Sequence, residues 1–168
     1  WFMGVCLSDS GFIKHREHHL RAVLKKFPVD GVWLDYVHWH AQFETPQPIL
    51  PETCFCDQCV RAFEKEKSID VVGKDIPGRA QWIFSNSDSL WRVWRSETLT
   101  AWMANMKSIV REERPGAMIG IYYCPWYPAD YDSALHRTLG IDLVALAGIA
   151  GVLSPMLYHR MMERPTNW

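Results

Sequence analysis

A run of apolar residues with one acid near its end, Gly31-Val-Trp-Leu-Asp-Tyr-Val37, sets the strongest constraint on the fold. Four of the seven, Val32, Trp33, Tyr36 and Val37, are β-branched or aromatic, side chains that suit a buried strand. Upstream, Leu20, Val23, Leu24 and Phe27 recur at helical spacing over residues 14–27, and Pro28 ends the stripe. A short apolar strand is also expected at Phe2–Leu7. Strand, helix and strand in that order form a β-α-β unit, and such a crossover implies parallel strands.

The alternation continues along the chain. A long segment rich in proline runs to about Asp88, with one short helix expected over Asp57–Lys67. The strongest helix is expected over Ser89–Glu113, where Trp91, Trp94, Thr98, Trp102, Met106, Ile109 and Val110 trace one face, Asp88 caps the start and Arg111 and Arg114 suit the end. A third strand is expected at Ala117–Cys124, a helix at Tyr131–Ala147 and a fourth strand at Gly151–Tyr158. The expected fold class is therefore α/β. It reads as part of a (β/α)8 TIM-type barrel, with about four parallel strands, alternating helices and a long Cys-containing insert. A whole barrel takes about 250 residues, so residues 1–168 are expected to be a single domain cut from a larger catalytic barrel. A doubly wound sheet is the competing fold. No Gly-x-Gly-x-x-Gly turn follows any strand, which weakens a dinucleotide-binding version, and no organic cofactor is expected.

Charge and hydropathy narrow the partners. A formal net charge of −1 argues against electrostatic nucleic-acid binding. No apolar run has the length of a membrane span, and the chain opens without the pattern of a signal peptide. Nine tryptophans fit a Trp-rich core or a cleft whose flat rings stack on sugars.

Three sets of residues carry candidate chemistry. Asp35 stands where a strand ends, the place where parallel barrels mount reacting groups, and a buried charge there is costly unless it is used or satisfied. Asp35 is the candidate catalytic carboxylate and Glu44 a weaker second one. Glycoside hydrolysis needs such a pair; the alternative is a structural Asp that caps a helix or pairs with an arginine. His38, Trp39 and His40 follow it, and Trp126, Tyr158 and His159 follow later strands; together they are candidate substrate-binding groups, with core packing as the alternative. The third set is Cys54-Phe-Cys56-Asp-Gln-Cys59. Three thiolates at this spacing can converge on one structural zinc that needs a fourth ligand, which Cys6 or Cys124 supplies only if the fold brings it near. Disulfides or a plain reduced cluster are the alternatives. Arg95 and Glu97 are expected to be exposed or paired, and His15, His18 and His19 to lie on the surface.

Asp30-Gly-Val-Trp-Leu-Asp-Tyr-Val37, Thr53-Cys-Phe-Cys-Asp-Gln-Cys59 and Ser154-Pro-Met-Leu-Tyr-His159 together resemble a glycoside hydrolase-like (β/α)8-barrel family. The likeness covers about residues 1–160, and a similar C-x-C-x2-C binds zinc in some β-galactosidases on that barrel. The resemblance implies a carbohydrate substrate, a site at the C-terminal rim and a role for Asp35. The chain departs from the family's two-carboxylate pattern, because no strand end after Asp35 carries a Glu or Asp. A non-catalytic carbohydrate-binding barrel and a zinc-stabilised interaction module are the alternatives.

Overall fold

The computed structural model describes residues 5–167. Its order is α1 (Ser10–Lys26), β1 (Gly31–Leu34), α2 (Asp57–Lys67), α3 (Ile76–Asn86), α4 (Asp88–Glu113), β2 (Met118–Tyr123), α5 (Asp130–Arg137), α6 (Leu143–Ala147) and β3 (Val152–Pro155). The strands form one parallel sheet in the order β1-β2-β3, with Trp33 opposite Gly120 and Tyr122 opposite Ser154. This corrects the expected partial barrel. Among the described residues there are three strands in one sheet and six helices, and both outer strands are open edges, so nothing closes. Of the strand expected first, Phe2–Gly4 lies outside the described residues, and Val5–Leu7 is not extended into the sheet.

Each helix starts for a local reason. Asp9 caps α1 by accepting from the Phe12 amide at 2.8 Å, and Asp75 caps α3 by accepting from Gly78 at 2.8 Å. Pro77 sits in the first turn of α3, where its missing N–H costs nothing. Ser87, not Asp88, occupies the cap position of α4; Asp88 lies in the first turn and pairs with Arg92 four residues on. The helix expected over residues 131–147 is broken in two, and Gly140 at φ +71° lies in the break.

Helix α4 is the spine of the core. Its N-terminal Trp91 and Trp94 pack with Phe55, Cys59, Val60 and Phe63 of the insert. Its middle residues Leu99 and Met103 meet Phe43, Ile121 and Leu135. Its last turns, with Met106, Ile109 and Val110, cover Leu24 of α1 and Ile119 of β2, beside Val32 and Leu34. Burying each such side chain contributes about 1.5–3 kcal/mol. Alternation then leaves Trp33, Met118 and Tyr122 on the other sheet face, where they are 41%, 53% and 38% exposed. One face of the sheet is thus packed under helices, and the opposite face is aromatic and open.

Candidate functional site

Two groups of chemically active side chains flank the aromatic end of α4. The first is a cluster of thiols. Cys54 and Cys56 lie in the chain leading into α2, Cys59 lies in the helix's first turn, and Cys6 comes from the segment before α1. The four sulfurs lie within 4.8 Å of one another, with Cys6 Sγ 3.6 Å from Cys56 Sγ and 3.2 Å from Cys59 Sγ. A tetrahedral ion with metal–sulfur bonds near 2.3 Å sets its sulfurs about 3.8 Å apart. The four thiols therefore can hold one metal ion with only small adjustment. Cys6 is the ligand that spacing alone could not assign. Cys124, the other candidate, is buried among Phe43, Ile121 and Trp126 in a different part of the core. All five cysteines are free thiols, so no disulfide competes for them.

The surroundings favour thiolate. The Ser8 amide donates to Cys6 Sγ at 3.4 Å, and Ser8 Oγ lies 3.4 Å from Cys59 Sγ. The N-terminus of α2 points its partial positive charge at Cys56 and Cys59. Hydrogen bonds from the Cys59 and Cys6 thiols hold Cys54 down at about 2. The same bonds to Cys54 push Cys6 up to about 11 and raise Cys59 further. A metal ion replaces those shared protons.

The second group gathers at the C-terminal end of β1. Tyr36 takes the left-handed conformation at φ +54°, which turns the chain sharply after Asp35 and costs about 1–2 kcal/mol in a non-glycine residue. Its amide donates to Asp35 Oδ1 at 2.9 Å, and its hydroxyl donates to Glu44 at 3.1 and 3.2 Å. One tyrosine thus links both candidate carboxylates. Asp35 is exposed, and among the described residues no lysine or arginine pairs with it or with Glu44. Partial burial, then the hydrogen bond to Glu44 and the charges of Glu44, Asp35 and Tyr158, raise the Tyr36 hydroxyl above its usual pKa. His38 is held below the usual imidazole range by burial; its Nδ1–H donates to the Trp39 carbonyl at 2.7 Å, and Glu44, His40 and Asp35 act on it electrostatically. Tyr158 is exposed and lies within reach of Tyr36, and His159 is half-buried.

Two expected ligand-binding aromatics are core residues instead. Trp39 is 4% exposed and packs on Trp94, and Trp126 is 4% exposed between Phe43 and Tyr131. Neither presents a ring face to solvent. Trp33, which sequence reading left as a strand residue, does. Its indole lies flat over Gly120, where a Cβ would overlap the ring, and its Nε1–H donates to Ser154 Oγ at 3.3 Å. Tyr122 stands beside it at a centroid distance of 6.4 Å. One groove lies between α1, β1 and α4 at Leu20, Val32 and Trp102, and another beneath β2 at Lys107, Met118 and Gly151. His15, His18 and His19 are exposed, as expected, and Glu97 is exposed and paired with Lys67. Arg95 is fully buried, against expectation.

No protein-family model, curated protein or solved structure matches the chain. Among the described residues no helix is long and apolar enough to cross a membrane.

Proposed function

We propose that the thiol cluster holds a structural zinc ion and that the C-terminal edge of the sheet hydrolyses O-glycosidic bonds of a carbohydrate. The observation that carries the hydrolytic reading is the pair of carboxylates joined through Tyr36, neither paired with a lysine or arginine among the described residues. Two structural carboxylates are ordinarily consumed by arginine, lysine or a helix N-terminus. These two instead face an open aromatic edge, the side of a parallel α/β sheet on which ligands bind.

Glycoside cleavage needs one carboxylate against the anomeric carbon and one acid to protonate the leaving oxygen. Asp35, exposed and held by a single backbone N–H, suits the first role, as nucleophile or as stabiliser of the oxocarbenium charge. Glu44 is assigned the second, because the Tyr36 hydroxyl fixes its position close to Asp35. Trp33 and Tyr122 offer flat faces for a pyranose ring, and Tyr158, His40 and His159 offer polar groups for its hydroxyls. Zinc supplies no chemistry in this reading; it ties the N-terminal segment to α2.

The test is turnover of a panel of aryl glycosides by the full chain. Asp35→Asn should remove turnover while leaving sugar binding and unfolding midpoint close to wild type. Glu44→Gln should slow poor leaving groups far more than activated ones. An Asp35→Asn variant as active as wild type defeats the assignment. Sugar binding without turnover in the wild type points to the second reading, a carbohydrate-binding protein, which the exposed Trp33 platform favours independently of any acid pair. Metal analysis returning one zinc per chain supports the metal reading, and iron in its place corrects the ion.

A further inference from the structure

Arg95 is the most costly group in this core. It is 0% exposed, and among the described residues no carboxylate pairs with it. Its two terminal nitrogens donate to the carbonyls of Arg137 and Thr138 at 2.9 and 2.7 Å, and its Nε has no partner. Those carbonyls lie at the C-terminal end of α5, and two neutral acceptors offset only part of a full cation. The carboxylate within electrostatic reach, Glu52, is already held by Arg92 and Arg137. Arg92 and Arg137 share Glu52 and have Asp88 and Asp132 as second acidic partners, so of the three guanidiniums Arg95 alone lacks a carboxylate among the described residues. A buried charge left uncompensated costs several kcal/mol. Burial, then the like charge of Arg92, lowers Arg95 to about 10.

The missing negative charge has a source on the other side of one aromatic cluster. The Arg95 guanidinium lies 4.9 Å over the Trp39 ring, and Trp39 packs with Trp94, Trp91 and Phe55 in the cluster that also contacts Cys6, Cys54 and Cys56 and includes Cys59. A divalent ion bound by four thiolates has a net charge of two minus. The two centres lie on either side of this one cluster, where attraction between full charges is stronger than in bulk water.

We propose that Arg95 is the buried counter-charge of the loaded metal centre, which takes a divalent ion as a tetrathiolate dianion. The inference rests on the reading of the four thiols as a metal site. It makes Arg95 a positioning residue, not a ligand, and it gives a reason for an arginine on the inner face of α4. Two consequences follow. A neutral residue at 95 weakens the metal without altering its ligand set. Loss of the Glu52 charge, which competes with the thiolates for the same guanidiniums, tightens it.

The experiment is a competition titration of the full chain with Zn2+ against a chromophoric chelator, with Co2+ absorption reporting the ligand set. Arg95→Gln should bind zinc about tenfold or more weakly, the usual scale for loss of an outer partner of a metal site, with thiolate-to-cobalt bands of wild-type intensity per bound ion. Arg95→Lys should recover most of the loss. Glu52→Gln should bind more tightly than wild type, and it decides the matter if Arg95→Gln does not fold. Equal affinity in Arg95→Gln and wild type, or Glu52→Gln binding no more tightly than wild type, overturns the counter-charge. A wild-type chain that takes up no zinc or cobalt overturns the metal reading itself, and this inference with it.

Discussion

Trp39 and Arg95 are joined twice: the indole Nε1–H donates to the Arg95 carbonyl at 3.0 Å, and the Arg95 guanidinium lies 4.9 Å over the same ring. The Trp39 amide also donates to the Leu139 carbonyl at 3.0 Å. One residue therefore ties the rim loop, with Asp35, His38 and Glu44, to α4, to the end of α5 and to the aromatic cluster beside the thiols. The rim is shaped from the thiol side of the core.

Replacing Trp39 should accordingly cost more than an average core change. Trp39→Ala empties a site walled by Trp94, Gly140 and Arg95 and should lower stability by about 3–5 kcal/mol. Trp39→Phe keeps a ring but removes the indole's bond to the Arg95 carbonyl, which stays in the α4 helix, a loss of about 0.5–1.5 kcal/mol. Urea unfolding midpoints at constant slope check both values. An Ala variant within 1 kcal/mol of wild type would contradict the packing described.

Metal removal should loosen the insert first. An ion present at about a thousand times its dissociation constant stabilises the folded chain by about 4 kcal/mol. At about 2–4 °C per kcal/mol for a chain of this size, stripping it should lower Tm by roughly 10 °C. Limited proteolysis of the stripped protein should cut first between β1 and α2, the segment that Cys54 and Cys56 anchor. A Tm indifferent to strong chelators would mean that the thiols carry no ion of structural weight.

The pH dependence of metal uptake has a definite sign. Cys6 is raised to about 11 and Cys59 is raised as well, so both hold protons at neutral pH in the metal-free protein. Cys54 is already a thiolate above about pH 2 and contributes no proton near neutrality. Binding must expel the protons of Cys6 and Cys59, so affinity rises with pH near pH 7, by about tenfold per unit for each proton released. Titration with Zn2+ at three pH values, with the protons released measured in two buffers of different ionisation enthalpy, tests this. Affinity that is flat in pH would show that those thiols are not ligands.

Much of the local structure was legible because its signals are local. The apolar stripe and flanking charges place α2 at Asp57–Lys67 and α4 within one residue of its start. The three central apolar runs are strands, each shorter than its hydrophobic stretch, because Asp35, Cys124 and Leu157 lie beyond the last paired residues. α3 was hidden by Pro77-Gly78, which reads as a break although both residues sit in a capped first turn. Long-range facts were not legible. Cys6 joins a motif that begins 48 residues later, and Arg95 is buried because the end of α5 and Trp39 close over it. The barrel failed for the same reason: alternation fixes parallel pairing but not how many strands pair.

The Trp33 platform gives the sharpest test of the open sheet face. Gly120 is the residue that lets the indole lie flat, since a methyl there would overlap the ring. Gly120→Ala must therefore push the indole off β2 and break its bond to Ser154. The stability change should be small, within about 1 kcal/mol, because alanine suits a strand better than glycine and the ring, 41% exposed, can swing into solvent. Sugar affinity should fall several-fold to about tenfold, the usual worth of one aromatic stacking contact. Trp33→Ala should lose as much, and combining the two substitutions should lose no more than either alone, because both remove the same surface. Glycan binding followed by intrinsic fluorescence reads both effects, with a red shift of Trp33 emission marking the displaced ring. Wild-type affinity in Gly120→Ala, with that red shift present, would place carbohydrate recognition away from this face.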